Sequence, residues 1–224
     1  MKLIYGILLT SLLLIVTEVS SSACISPIAE DEENLQNCLD EGHKGNEFAQ
    51  FTLGLMFLNG DITDKDPIKS VEWFTKAAEQ KFVYAQYNLA TMLINGYEVP
   101  KNIPLGLNWL TQAAELDYDK AQFALAQMYD FGDGVERSPS DAVHWYTKAA
   151  EQGHAGAQNN LATMYDSGLG VLKNQSRAYM FYYLAAEQGN PTAIKNLTLI
   201  REELDEKQIA LGKEYVEEWY EIYP

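Results

Sequence analysis

Landmark residues of this chain recur every 36 positions, and this period constrains the fold more than any other feature. Two of the recurring series, one of small and one of large side chains, are Ala49, Ala85, Ala121, Ala157 and Ala193, and Trp73, Trp109, Trp145 and Phe181. A long fixed period indicates a stack of similar supersecondary units, each too small to bury its own apolar face. The 224 residues are therefore predicted to form one repeat array.

Each unit has the pattern of a helical hairpin, which is clearest in the third unit. Apolar or small side chains follow helical spacing over residues 121–129, and Gly132 then permits the left-handed backbone that ends a helix. Ser138 and Pro139 suit the start of a second helix, which ends at Gly153. Small residues in the first helices allow close packing, with Trp or Phe opposite; they are Gly54, Ala90, Ala126 and Ala162. The pattern predicts an all-α fold, an α/α superhelical solenoid of stacked helix-turn-helix repeats.

Two stretches, AVHWYTKAAEQG (142–153) and AEQGHAGAQNNLATMYDSGLGV (150–171), resemble Sel-1-like repeats, which are relatives of the tetratricopeptide family. The resemblance covers four units, 47–82, 83–118, 119–154 and 155–190. It implies an adaptor that assembles protein complexes, and in some bacteria contact with host cells. Other residues stand where glycines are common in the family, so altered loops are expected at Ile62, Lys81, Tyr97-Glu98 and Asp117.

The N-terminus has the three-part pattern of a secretory signal. Met1 and Lys2 begin it, residues 4–16 are almost wholly apolar, and small residues ending at Ala23 suit a signal peptidase. The apolar run is shorter than the ~20 residues of a membrane-spanning helix, so cleavage after Ala23 is predicted, with an uncleaved anchor as the alternative. The predicted parts are a signal peptide, a capping segment with a helix, the four repeats, and a half repeat with a capping helix: 1–23, 24–46, 47–190 and 191–224. The protein is predicted to be exported, to the periplasm or outside a bacterial cell.

Cys24 and Cys38 are the two cysteines of the chain. Cysteines in an exported chain usually pair, so a disulfide between them is predicted. The alternative is a lipid on Cys24, the first mature residue, as in bacterial lipoproteins, although Ser21 stands where that motif has a leucine-like residue. A thioether-linked Cys24 could not also bridge Cys38, so the two predictions exclude each other.

The chain is strongly acidic, with 32 Asp and Glu against 16 Lys and Arg and a formal net charge of −16. This argues against nucleic acid as a partner and against adsorption to an anionic bilayer, and it favours a protein or peptide with a basic surface. The three histidines, His43, His144 and His154, lack the spacing of a zinc site. The sequence also lacks a phosphate-binding loop and a nucleophile elbow. No metal, cofactor or catalytic residue is therefore predicted.

The first helices of stacked hairpins line an inner wall, so their variable side chains are the predicted contact residues. Amides and aromatics there suit a peptide, because amides can bond an extended backbone. The predicted binding residues are Tyr87, Asn88, Thr91, Asn95, Phe123, Gln127, Asp130, Asn159, Asn160, Thr163 and Asp166.

The favoured function is a non-catalytic scaffold or adaptor that binds a protein or peptide on this concave face. The alternative is a cell-wall ligand binder or a β-lactamase-like enzyme of the cysteine-rich Sel-1-like group. That group has a cysteine pair in each repeat, and this chain has two cysteines in all. A eukaryotic lumenal adaptor is the third interpretation, since Asn174-Gln175-Ser176 and Asn196-Leu197-Thr198 are glycosylation sequons.

Overall fold

A computed structural model describes residues 24–25 and 31–223 of the chain. Over these residues it has eleven α-helices and no strand, which confirms the predicted all-α class. The helices are α1 Asp31–His43, α2 Glu47–Asn59, α3 Pro67–Glu79, α4 Val83–Asn95, α5 Ile103–Glu115, α6 Asp119–Phe131, α7 Pro139–Glu151, α8 Ala155–Ser167, α9 Gln175–Glu187, α10 Pro191–Glu203 and α11 Glu206–Ile222. The predicted signal peptide, residues 1–23, lies outside the described residues.

The helices form two compact units, Met1–Trp109 and Leu110–Pro224, and the boundary between them falls inside α5. In both units first and second helices alternate along the chain. A left-handed glycine ends each first helix of the four hairpins, and these glycines are Gly60, Gly96, Gly132 and Gly168. Their backbone N–H groups donate to carbonyls four residues earlier, which explains why glycine keeps the 36-residue period.

A short disulfide-linked segment packs on the first repeat. Cys24 and Cys38 form a disulfide with their Cα atoms 4.7 Å apart, and both side chains are buried against α2 and Trp73. The Cys24 sulfur in this bond has no valence left for a lipid thioether. The side chain of Gln50 in α2 also donates to the Gly42 carbonyl of α1 at 2.9 Å. Helix α1 therefore covers the apolar end of the array, as a capping element must.

Small and large side chains meet inside each hairpin. In the first hairpin Gly54 lies against the Phe74 ring, since a Cβ on Gly54 would be 2.4 Å from Phe74 Cδ1. In the hairpin of α6 and α7 the fully buried aromatic is Tyr146, whereas the neighbouring Trp145 is only partly buried. The tryptophan series identified in the sequence is thus one part of the core. The residue that follows each tryptophan, Phe74 or Tyr146 in these two hairpins, packs between the two helices of its hairpin. Successive helical residues point about 100° apart, so the two series face different neighbours.

A buried glutamine joins each first helix to the second helix that precedes it. The four glutamines keep the 36-residue period and are Gln50, Gln86, Gln122 and Gln158. Their amide groups donate to the carbonyls of Gly42, Ala78, Ala114 and Ala150, at 2.9, 3.1, 3.1 and 3.3 Å. These carbonyls lie at or near helix ends, and each also accepts a backbone N–H of the following turn, for example Gly153 N to Ala150 O at 2.9 Å. The carbonyl therefore provides an acceptor for the buried glutamine amide once in every repeat.

A second glutamine completes this arrangement in three repeats. Gln80, Gln152 and Gln188 donate to the side-chain oxygens of Gln50, Gln122 and Gln158, at 2.7, 2.8 and 2.8 Å. Leu116 stands at the corresponding position of the second repeat and has no donor. Among the buried side-chain atoms described, Gln86 Oε1 is the one without a hydrogen-bond partner.

The turns between repeats keep their backbone geometry where glycine is absent. Lys81 and Asp117 have φ of 67° and 59°, close to the 83° and 79° of Gly153 and Gly189 in the later repeats. The next N–H closes the same bond in each turn, for example Phe82 N to Ala77 O at 3.1 Å and His154 N to Ala149 O at 3.0 Å. The expectation of altered loops is wrong at Lys81 and Asp117, because this bond and the packing around it impose the left-handed conformation. It is also wrong at Glu98, in the loop inside the second hairpin, whose φ of 57° is close to the 78° of the equivalent Gly134. Ile62, at the same position of the first loop, does not have a positive φ, so the loop is altered there as expected.

Replacing Gly54 by Ala should destabilise the protein. The added Cβ would overlap the buried Phe74 ring, at a cost of about 1–3 kcal/mol, which exceeds the helix-propensity gain of up to about 1 kcal/mol. Chemical denaturation measures the loss. Phe74→Leu is the matched second change, since Ala90 and Leu110 occupy the equivalent positions of the second repeat. The double variant should lose less than the sum of the two single variants, and a stabilised Gly54→Ala protein would contradict this packing.

Gln152→Leu should reproduce in the third repeat what Leu116 does in the second. It removes the donor to Gln122 Oε1 and leaves that buried oxygen unpaired, so the free energy of unfolding should fall by about 1–3 kcal/mol. Gln36→Leu, on an exposed helix surface outside the glutamine series, should change it by less than about 0.5 kcal/mol. Urea denaturation of the three proteins compares these values. Equal effects at residues 152 and 36 would show that the paired glutamines contribute nothing.

Candidate functional site

A chain of hydrogen-bonded polar side chains crosses the first helices of the second unit. Asn196 of α10 donates to Asn159 Oδ1 at 3.1 Å. Asn159 donates to Asn160 Oδ1 at 3.1 Å, and Asn160 donates to the Tyr146 hydroxyl at 3.0 Å. The pKa of Tyr146 is raised by burial and, to a smaller extent, by the nearby carboxylate of Asp130 at the end of α6. We call the four hydrogen-bonded residues, Asn196, Asn159, Asn160 and Tyr146, the amide chain.

Every hydrogen bond of the amide chain runs in one direction. Asn159 and Asn160 each donate through the NH₂ group and accept through the oxygen, while Asn196 donates at one end and the Tyr146 oxygen accepts at the other. Burial raises the pKa of Tyr146, so its hydroxyl remains a donor. Hydrogen bonds aligned in series polarise one another and hold their members in one geometry.

The surroundings of the amide chain leave it rigid on one side and accessible on the other. Tyr146 is fully buried and Asn159 is buried, while Asn160 and Asn196 are half-buried. A primary amide has two donor hydrogens and an oxygen that accepts twice. The chain uses one hydrogen of Asn160 and one of Asn196, so each has a second to offer to a ligand.

Thr163 and Tyr182 extend the polar surface one turn further along α8. The Thr163 hydroxyl contacts the Asn159 carbonyl at 3.1 Å and the Tyr182 hydroxyl at 3.0 Å. Burial raises the pKa of Tyr182, which remains a neutral phenol. Asp166 accepts from the Gln175 side chain at 3.1 Å. The surface thus combines neutral donors with the carboxylates of Asp130 and Asp166.

The remaining predicted residues of the second unit have different surroundings. The Phe123 ring stacks on His154, with centroids 4.3 Å apart, and packs near Tyr146 at 5.9 Å. Its contacts are those of a side chain at the edge of the core. Gln127 is half-buried on the same helix.

The predicted residues of the first unit lie on α4 and are described by themselves. The side chains of Asn88 and Thr91 donate to carbonyls of their own helix, Tyr84 O at 2.7 Å and Tyr87 O at 2.8 Å. These bonds tie both side chains to their own helix. Tyr87 is half-buried and Asn95 is exposed. Asn88 and Thr91 therefore differ from Asn160, which bonds a side chain of another helix.

Sequence analysis missed three members of this surface: Tyr146, Tyr182 and Asn196. The signal that could have found them is the repeat period itself. Tyr146 and Tyr182 stand 36 residues apart, as do Asn160 and Asn196. The tyrosines lie on second helices, which the inner-wall argument left out.

His154 caps α8 with an imidazole instead of the usual hydroxyl or carboxylate. Its Nδ1 accepts from the Ala157 N–H at 3.1 Å, while its ring stacks on Phe123. An accepting Nδ1 requires the neutral ring. Burial lowers the pKa of His154 from 6.5, and Lys120 acts in the same direction, while Asp119 opposes them.

Within the described ranges, no group of three or more His, Cys, Asp or Glu side chains is placed to hold a metal ion. No helix of the described residues has the length and apolar character needed to cross a membrane.

Comparison with protein families gives one match. The Sel1 repeat model matches residues 48–82, 83–118, 119–154 and 155–190. No curated protein sequence matches this chain.

Solved structures share the fold. A Sel1 repeat protein from Oxalobacter formigenes is 31% identical, with a TM-score of 0.71, over 74% of this chain and 68% of that one. The protein c5321, a protective antigen of uropathogenic Escherichia coli with an SLR fold, is 27% identical over 85% of this chain, which spans 49% of its length, with a TM-score of 0.53. The immunity protein PA5088 from Pseudomonas aeruginosa, 22% identical over 91% of this chain and 79% of that one with a TM-score of 0.50, is similar in fold alone. These structures confirm the predicted solenoid of helix-turn-helix repeats.

The His154 cap should make the protein less stable in mild acid. The pKa is lower in the folded chain than in the unfolded chain, so the unfolded chain binds the proton first as the pH falls. The contribution of His154 to the free energy of unfolding is fully present above pH 6.5, and it declines as the pH falls below this value. Urea denaturation at about pH 7.5 and about pH 5.5 measures the decline. His154→Ser keeps a capping acceptor that does not titrate, so the loss of stability in acid should be smaller in this variant. An equal loss in the variant and the wild type would show that groups other than His154 cause it.

Proposed function

Since this chain belongs to the Sel1 repeat family, we propose that it is a non-catalytic scaffold that binds an extended protein or peptide segment on the first-helix surface of its second unit. Sel1 repeat proteins are typically protein-interaction scaffolds. The amide chain is the observation that supports this surface over others. It links side chains of three helices, α7, α8 and α10, in one ordered array.

The amide chain suits a peptide backbone for a physical reason. An extended backbone presents N–H and C=O groups in alternation, and side-chain amides can both donate and accept. Asn160 and Asn196 are already held by hydrogen bonds, so little side-chain freedom is lost when they engage a ligand. A loose amide on a helix surface would have to be ordered first, which weakens binding.

Charge favours a partner with basic residues near the bound segment. Asp130 and Asp166 lie beside the amide chain, and the whole chain has a net charge of −16. Arg137 is the basic side chain near Asp130, with a guanidinium nitrogen 4.0 Å from its carboxylate. This pair is partly exposed and therefore contributes little, so most of the negative potential remains available to a ligand.

Export to the periplasm or the outside of a bacterial cell completes the proposal. The support is the signal-like pattern of residues 1–23 together with the Cys24–Cys38 disulfide, a bond typical of oxidising compartments. The similar c5321 is a protective antigen, a description that fits an accessible location. The parts of the proposed mature protein are a capping segment, four repeats, and a half repeat with a capping helix: 24–46, 47–190 and 191–224.

Asn160→Ala should abolish the proposed binding without unfolding the protein. A phage-displayed 12-residue peptide library, selected on the wild-type protein, supplies the probe, and fluorescence polarisation of the enriched peptides gives their affinities. Loss of Asn160 removes a ligand contact and breaks the amide chain, so affinity should fall about ten-fold or more.

Asn88→Ala is the matched control, because Asn88 stands at the same position of the second repeat but bonds its own helix. It should change the affinity by less than about two-fold. Thermal melting reports whether either variant is unfolded. Selection that enriches no peptide, or equal losses in the two variants, would contradict the proposed surface.

A further inference from the structure

A cavity of about 600 Å³ opens at a different part of the second unit. It lies where the C-terminal ends of three helices come together, α7 at Glu151, α9 at Glu187 and α11 at Ile222. No residue of the amide chain lines it. The peptide surface proposed above therefore leaves this cavity without a role.

Two carboxylates line the cavity and keep acceptor capacity. Glu187 accepts hydrogen bonds from the hydroxyls of Tyr183, at 2.8 Å, and Tyr220. The bond to Glu187, together with burial, raises the pKa of Tyr220 to about 12. Burial and the nearby carboxylate of Glu151 raise the pKa of Tyr223. A carboxylate offers about four acceptor positions, so both groups can take further donors from a ligand.

The helix ends add to the negative potential. The last carbonyls of a helix have no partner within the helix and carry the negative end of its dipole, equivalent to roughly half an elementary charge. Three such ends surround this cavity. No Lys, Arg or His is among the residues that line it. The cavity is therefore matched electrostatically to a cation.

Aromatic side chains form part of the wall. Trp219 and Tyr223 lie with ring centroids 4.4 Å apart, and Trp219 is held edge-on against Phe181 at 5.3 Å. The rim carries Ile222, which is 67% exposed. Rings positioned beside carboxylates can contact the flat face of a planar cation while the carboxylates bind its edge.

We propose that this cavity binds the guanidinium group of an arginine side chain from a protein partner. Arginine fits better than lysine because its planar group stacks on an aromatic ring and bonds carboxylates through several N–H groups at once. Ile222 and the aromatic rings would cover the methylene stem. The cavity is a second contact point beyond the amide chain, and it stands even if that surface binds nothing.

The test titrates ¹⁵N-labelled protein with N-acetylarginine methylamide and with its citrulline counterpart, which has nearly the same shape and no charge. The indole N–H signal of Trp219, assigned with Trp219→Phe, reports occupancy. Arginine should bind at least about five-fold more tightly than citrulline, because charge-assisted hydrogen bonds are about twice as strong as neutral ones. Glu151→Gln should weaken arginine binding by a similar factor.

Glu115→Gln is the matched control, because it removes the same charge at the same repeat position but lies outside the cavity lining. It should change the arginine affinity by less than about two-fold, since a single exposed charge contributes little.

Ile222→Lys, which places a cation at the rim and leaves Glu151 intact, should reproduce the loss if Glu151→Gln lowers the melting temperature. Asn160→Ala should leave arginine binding unchanged, so this test and that of the amide chain fail separately. Equal binding of arginine and citrulline, or equal losses at Glu151 and Glu115, would overturn the proposal.

Discussion

The hydrogen bond from a buried glutamine to the carbonyl at a second-helix end is the interaction on which the repeats depend. Each first helix begins beside the end of the preceding helix, and its glutamine side chain is buried there. A buried polar group without a partner costs about 1–3 kcal/mol, so the amide of the glutamine must be paired in every repeat, and the carbonyl at the helix end, which also accepts a backbone N–H, provides the acceptor. Gln122 and Gln158 meet this requirement and are held in turn by Gln152 and Gln188. The interface between neighbouring helices is thus specified by polar contacts as well as by apolar packing.

The binding surface follows from this register. Once α6, α8 and α10 are held in place, Asn159 and Asn196 lie within hydrogen-bond distance although they are 37 residues apart in sequence. Tyr146 has an apolar ring in the core and a buried hydroxyl that accepts from Asn160, so it links the packed interior to the amide chain. One residue thereby stabilises the hairpin and orients the groups available to a ligand. A comparable link exists at Glu187, where the Tyr220 hydroxyl joins α11 to α9 beside the cavity.

Much of the fold could be predicted because each local signal, such as the glycine that ends a helix, recurs every 36 residues. Gly132 and Gly168 mark the ends of equivalent helices, as the 36-residue spacing predicted. The prediction was wrong at Lys81 and Asp117, where tertiary contacts impose a left-handed backbone on residues that would not choose it. The site was predictable only in part. Asn159, Asn160 and Thr163 were identified from their helix position, whereas Tyr146 looked like ordinary core, because hydrogen bonding between helices has no local pattern.

By itself, the sequence determined the class of fold, the helix ends and the acidic character, since these depend on residue type at fixed spacing along one chain. Tertiary structure alone decided which polar groups meet. Asn88 and Asn160 occupy the same repeat position, yet one bonds its own helix and the other joins the amide chain, because only Asn160 has the Tyr146 hydroxyl within reach. The cavity at Glu151 and Glu187 likewise exists only because three helix ends converge there. Such convergence depends on packing distances between helices, which the order of residues along the chain does not state.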